Sequence, residues 1–418
     1  MPGANHDRVS PAGRPVAPGA ATRPAGGRES PADPGEAPAD PWDAIPASGA
    51  WQPGDPEGRR RWATVFADSP LCLEAGATLG PVTVAYETWG TLRPDGSNAV
   101  LVLHALTGDS HLAGPVEAGH PSPGWWEAIV APGGALDPAD WFVVCPNVLG
   151  GCQGTTGPAS LATGGRRYAS AWPTLTIRDQ VAVEVALADF LGIDRWAAVV
   201  GGSMGGMRVL EWAVGAPERL ERAVVVACGP VATAEQIAWC AVQAQAIRLD
   251  PGFAGGDYYD APPGAGPARG MGTARRIGHI TYRCEPELDA RFGHDAQDGE
   301  APLAGGRFAV ESYLDHQALK LAARFDANSY LSLSRAMDLH DVGRDRGGVA
   351  AALARVTAKV TVAGVDSDRL YPLRLQEQLA AALPGGPPLQ IITSAAGHDG
   401  FLVEADQVDK VVAGALQW

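Results

Sequence analysis

The strongest constraint on the fold is an apolar run, Ala197-Ala198-Val199-Val200, that passes directly into Gly201-Gly202-Ser203-Met204-Gly205 and then into the amphipathic segment 207–212. A strand that reverses so abruptly into a helix leaves no room for side chains at the turn, so glycine is required around it. The serine at its tip is held in strained backbone with its hydroxyl presented at the end of the strand. In a chain with 53 glycines a G-x-S-x-G pattern also arises as a plain strand-to-helix turn. The flanking strand and helix are what give it weight here.

The surrounding pattern fits a parallel sheet. Apolar runs at 98–103, 141–146, 196–200 and 222–227 alternate with helix-period segments at 179–191 and 204–214, the rhythm of an α/β fold. Two period-two runs, 70–74 and 82–88, form an antiparallel opening. The rhythm returns as strand 358–363, helix 373–383, strand 389–393 and helix 407–416. Residues 51–230 and 350–418 therefore form a core, and 231–349 form an insert. Helical candidates in the insert at 235–249, 272–282, 311–325 and 329–339, separated by Gly- and Pro-rich loops such as 261–267, predict a helical cap over the strands' carboxyl ends, where open α/β sheets bind ligands. Residues 1–50 are rich in Ala, Pro and Gly with no Leu, Phe or Tyr, and are expected to be a disordered extension.

Composition narrows the partners. A formal net charge of -15 disfavours nucleic acid and anionic membranes, which call for a broad basic surface. There is no signal-peptide pattern and no apolar run long enough to span a bilayer, so the expected location is the cytoplasm. The six cysteines form no C-x-x-C pair and read as reduced thiols in or near the core. The histidines look scattered, with no H-E-x-x-H or Cys/His spacing, so no metal site is expected and EDTA should leave activity unchanged.

A serine nucleophile needs a histidine base held in one tautomer by a carboxylate, and in the α/β-hydrolase fold the chain order is Ser, acid, His. Both partners follow in loops after predicted strands: Asp366 or Asp368 in Val365-Asp366-Ser367-Asp368-Arg369, and His398 in Gly397-His398-Asp399-Gly400. Donors for a tetrahedral intermediate would be the backbone N–H of Met204, after the nucleophile, and of Leu106, in the loop after an early strand. A plain strand-ending turn at 104–108 is compatible with that role.

On these residues the chain resembles the homoserine O-acetyltransferase family of methionine biosynthesis. The stretches that carry the likeness are 85–90, 104–111, 123–126, 147–158, 201–212, 279–283, 307–316, 367–372 and 397–404, spread from about residue 70 to the end. The resemblance implies an α/β-hydrolase fold and an acyl-enzyme on Ser203, with Asp368 rather than Asp366 orienting His398. It implies acetyl-CoA as co-substrate with no bound cofactor, and L-homoserine as acceptor, its carboxylate held by Arg275 and its ammonium by Asp399. It also implies a homodimer, through the cap. Without it, Arg275 and Arg276 read as a solvated helix face and Asp399 as a plain loop carboxylate.

Alternatives stay open at this level. Succinyl-CoA or serine could replace acetyl-CoA or homoserine, since one methylene is worth only about 1–3 kcal/mol of discrimination. The same three side chains could make a serine esterase or thioesterase, and a degenerate hydrolase fold could be a binding protein without catalysis.

Overall fold

A computed structural model describes residues 40–417. Eight strands, β1 (Arg61–Val65), β2 (Val82–Trp89), β3 (Ala99–Leu103), β4 (Phe142–Pro146), β5 (Ala198–Gly202), β6 (Arg222–Val226), β7 (Lys359–Val365) and β8 (Gln390–Ile392), form one sheet in the order β1-β2-β4-β3-β5-β6-β7-β8. The pairs β1–β2 and β2–β4 are antiparallel and all others are parallel. The expected strand at 70–74 is reduced to Leu71–Cys72, which pairs with Thr78–Leu79 outside this sheet.

Strands buried on both faces must be apolar throughout, and every residue of β3 and β5 is buried. Side chains alternate between the faces: Leu101, Leu103 and Val199 join one core cluster, and Val100, Val102, Ala198 and Val200 the other. The register sets Leu103 beside Gly201, Gly202 beside Val226, and Val365 beside Ile392. The loops after β3, β5, β7 and β8 therefore emerge at one edge of the sheet.

The helices named below are α1 (Ile177–Leu191), α2 (Met204–Gly215), α3 (Ala234–Arg248), α4 (Ala268–Tyr282), α5 (Ala309–Ala322), α6 (Ala327–Asp338), α7 (Leu373–Ala382) and α8 (Ala405–Leu416). Four of them, α3 to α6, lie in the chain between β6 and β7, where the sequence has its four helical candidates. The first starts at a reciprocal cap, where Thr233 Oγ1 accepts from Gln236 N–H and Gln236 Oε1 accepts from Thr233 N–H, satisfying two end donors at once. A further helix, Glu285–Phe292, follows α4. No described helix is long and apolar enough to cross a membrane.

Two further expectations, on the N-terminal segment and the cysteines, need correction. Residues 1–39 lie outside the described residues, but 40–50 do not form the disordered segment expected of them. Pro41–Ala44 is a short 3-10 helix, Ile45 and Ala50 are buried, Gly49 N–H donates to Phe325 O, and Ser48 Oγ donates to Asp326. The expectation rested on missing Leu, Phe and Tyr; Trp42 and Ile45 supply the apolar contact instead. The six cysteines are all free, but Cys72 is exposed rather than near the core.

Candidate active site

Ser203 sits between β5 and α2 at φ 56°, ψ −122°, outside the regions an L-residue adopts without strain. Its N–H donates to Val226 O at 3.0 Å, and its own carbonyl accepts from Met207 N–H at 3.1 Å, so the turn is fixed on both sides. The glycine requirement is steric: a Cβ on Gly205 would fall 2.0 Å from Leu103 O, where α2 crosses the end of β3.

The loops after β7 and β8 bring the other two side chains to this serine. His398 Nε2 lies 2.8 Å from Ser203 Oγ, and His398 Nδ1 lies 2.6 Å from Asp368 Oδ2. The second carboxylate oxygen of Asp368 accepts from Leu370 N–H and Tyr371 N–H, each at 2.8 Å. Asp366 points elsewhere and accepts from Ser394 N–H, so the geometry separates the two aspartates that the sequence left as rivals. Tyr371 stacks on the imidazole and Phe401 meets it edge-on. Burial disfavours a charged His398, but the charge and hydrogen bond of Asp368, with the charge of Asp399, outweigh it and raise the pKa above the ordinary histidine range.

Leu106 and Met204 are buried next to the serine, and no acceptor within the described residues takes either backbone N–H. The first residues of a helix have no intrahelical acceptor, so the Met204 N–H, like that of Leu106, is free to donate to a ligand oxygen such as an oxyanion.

One cavity holds Ser203, Leu106, His398, Arg275, Asp399 and Asp338, roofed by α3, α4 and the end of α6. The structure also separates the two adjacent arginines. Arg276 is paired with Asp315 at 2.7 Å, whereas Arg275 faces the cavity over the Tyr282 ring, with its Nε buried and unpartnered. Asp399 lies 3.3 Å from Arg283. Burial raises the Asp399 pKa, against the lowering pull of Arg283, Arg275 and His398.

Several residues of the site were not legible. Asp338 and Cys240 line the cavity, and burial pushes both acids up. Arg208 is fully buried, paired with Glu184 at 2.7 Å. Nor are the histidines all scattered: Glu87, His111 and His120 come within metal-ligating distance of one another. Their ligand atoms are already engaged, however. His111 Nδ1 lies 3.1 Å from Glu87, its Nε2 lies 3.2 Å from Pro115 O, and His120 Nε2 accepts from Arg59 N–H. Burial opposes charging His111, but Glu87 prevails and raises its pKa. The group is built as a buried ion pair, with the His120 ring stacked on it.

The chain is similar to known proteins over most of its length. Residues 98–405 match the model of the alpha/beta hydrolase fold family. The homoserine O-acetyltransferase of Thermobifida fusca is 61% identical over 372 residues, 89% of this chain and 97% of that protein. The crystal structure of homoserine O-acetyltransferase from Bacillus anthracis superposes with a TM-score of 0.77 at 28% identity, covering 86% of this chain and 97% of that one. The crystal structure of esterase E22 does so with a TM-score of 0.77 at 27% identity, covering 85% and 99%. The chain belongs to the alpha/beta hydrolase fold family and, within it, to the homoserine O-acetyltransferases.

Proposed function

We propose that this chain transfers the acetyl group of acetyl-CoA to the hydroxyl of L-homoserine through an acyl-enzyme on Ser203. The observation that carries the reading is a hydrogen-bonded Ser203–His398–Asp368 set in the same cavity as Arg275, whose guanidinium has no anionic partner among the described residues.

In the first half-reaction His398 Nε2 takes the Ser203 proton as Oγ attacks the thioester carbonyl. Leu106 and Met204 N–H groups receive the oxyanion. The C–S bond breaks, and His398 returns the proton to the CoA thiolate. Homoserine then binds with its carboxylate on Arg275 and its ammonium at Asp399, a zwitterion meeting one group of each sign. His398 removes the hydroxyl proton, the oxygen attacks the acyl carbonyl, and the ester leaves as Ser203 Oγ recovers its proton.

A second reading, ester hydrolysis, is favoured by the likeness to esterase E22, because water can end the same acyl-enzyme. An oriented hydroxyl reaches an effective molarity of about 10⁵ M or more, so bound homoserine prevails over water when the roof of α3, α4 and α6 keeps the cavity dry.

The family's homodimer is part of this proposal. It is supported by the outer face of α3, where Ile237, Ala238, Ala241, Val242 and the following Leu249 are all exposed, an apolar stripe of the kind interfaces cover. A biosynthetic role in the cytoplasm completes it. The test is a panel pairing acetyl-CoA or succinyl-CoA with homoserine or serine. The expected result is the highest kcat/KM for acetyl-CoA with homoserine, and parallel double-reciprocal plots. Turnover with succinyl-CoA alone, or thioester hydrolysis as fast without homoserine as with it, would overturn the reading.

A further inference from the structure

The turn 104–108 is held by an unusual number of donors aimed at its carbonyls. Arg208 Nη2 donates to His104 O, Gly108 N–H to Ala105 O at 3.0 Å, and Arg324 Nη2 to Thr107 O at 2.9 Å. His104 adds a fourth, with Nδ1 2.7 Å from Ala105 O. The tautomer follows from its other nitrogen. Val148 N–H donates to His104 Nε2 at 3.0 Å, so Nε2 carries a lone pair and the proton of the neutral ring sits on Nδ1, directed at Ala105 O. Burial, reinforced by the charge of Arg208, lowers the His104 pKa to about 3, which keeps that tautomer through the neutral range.

The Ala105 carbonyl and the Leu106 N–H are the two edges of one peptide plane. Anchoring the carbonyl fixes the direction in which the N–H points. A hydrogen bond to the carbonyl also polarises the amide and makes its N–H a stronger donor.

We propose that His104 is a positioning residue for acyl transfer, setting the orientation and donor strength of Leu106 N–H through the Ala105–Leu106 peptide. This rests on the reading of Leu106 as an oxyanion donor. The competing account makes His104 a buried strut that ties the turn to the Val148 loop, and the two ring nitrogens allow the accounts to be separated. In His104→Asn the amide nitrogen takes the place of Nδ1 and keeps the bond to Ala105 O. In His104→Gln the longer side chain reaches toward Nε2 and keeps the acceptor for Val148.

The experiment measures the burst of Ser203 acylation by p-nitrophenyl acetate, a readout that needs no homoserine, together with affinity for an alkyl boronic acid and the Tm of each variant. Deleting a whole oxyanion donor costs about 10²–10³-fold, so His104→Gln should slow acylation by about 10- to 100-fold, and His104→Asn should stay within about threefold of the parent. Boronate affinity should fall in step with the rate, and KM for the ester should not change. Acylation at the parent rate in folded His104→Gln, or equal losses in both variants that track Tm, would overturn the proposal while leaving acetyl transfer intact. A parent enzyme that is acylated but does not transfer to homoserine would overturn the proposed function and leave the Asn and Gln comparison decisive for His104.

Discussion

Arg283 Nε stands 3.3 Å from Asp399 Oδ2, so the carboxylate next to His398 already has a cationic neighbour before any substrate enters. Asp399, proposed above to receive the substrate's ammonium group, is also one of the charges that raise the His398 pKa. A protonated His398 cannot take the Ser203 proton, so kcat/KM for acetyl-CoA should fall as pH drops through a value above the ordinary histidine range. Removing a negative charge destabilises imidazolium, so Asp399→Asn should move this acid limb to lower pH. The pH profile of single-turnover acylation checks it; an unmoved limb would mean that Asp399 does not act on His398.

Arg275 should matter for the acceptor and not for the donor. Charge-assisted hydrogen bonds contribute about 1.5–3 kcal/mol, so Arg275→Gln should raise KM for homoserine roughly 10- to 100-fold. The acylation burst with acetyl-CoA should be unchanged. With the acceptor poorly held, a larger share of acyl-enzyme should be lost to water, measured as CoA release in excess of O-acetylhomoserine. A variant that lost the burst as well would place Arg275 on the donor side.

What could be read from the chain depended on how local each signal is. The turn at Ser203 and the loops carrying Asp368 and His398 were legible because each follows an apolar run and is bounded by glycine or proline. The roof helices were legible as proline-free runs separated by Gly- and Pro-rich loops. Strand Arg61–Val65 was missed because it is an edge strand in which only Ala63 and Val65 are buried, too few to set up an alternation. Arg208 and Arg324 were missed for a different reason. An arginine reads as solvated unless its partner is known, and the partners here are Glu184, 24 positions away, and Thr107 O, 217 positions away. The cluster of Glu87, His111 and His120 was hidden in the same way, by contacts that only the folded sheet creates.

The exposed stripe on α3 gives a prediction about assembly. A carboxylate placed within an apolar interface is left unpaired and desolvated, which costs several kcal/mol, whereas on a free surface it costs almost nothing. Val242→Glu should therefore convert a dimer to monomer in sedimentation velocity while leaving circular dichroism unchanged. A parent that sediments as a monomer at micromolar concentration would remove the dimer from the proposal.

Acid should weaken the fold through histidines that the chemistry does not use. His340 is buried, its Nε2 lies 3.1 Å from Gly229 O, and burial is the leading cause that lowers its pKa from 6.5 to about 4. Burial likewise lowers His279 to about 2. In the unfolded chain these rings take up protons below 6.5, whereas in the folded chain His340 does not until about pH 4. The folded state binds fewer protons across that window, so stability is fully present above pH 6.5 and is lost as pH falls toward 4. Each such ring contributes a slope of up to roughly 1.4 kcal/mol per pH unit. His340→Gln removes one titrating group while keeping an amide able to donate to Gly229 O. The variant should lose less stability than the parent between pH 7 and pH 5, read from urea midpoints at the two values. Equal losses in both proteins would show that His340 is not buried in its neutral form, and would move the source of acid sensitivity elsewhere.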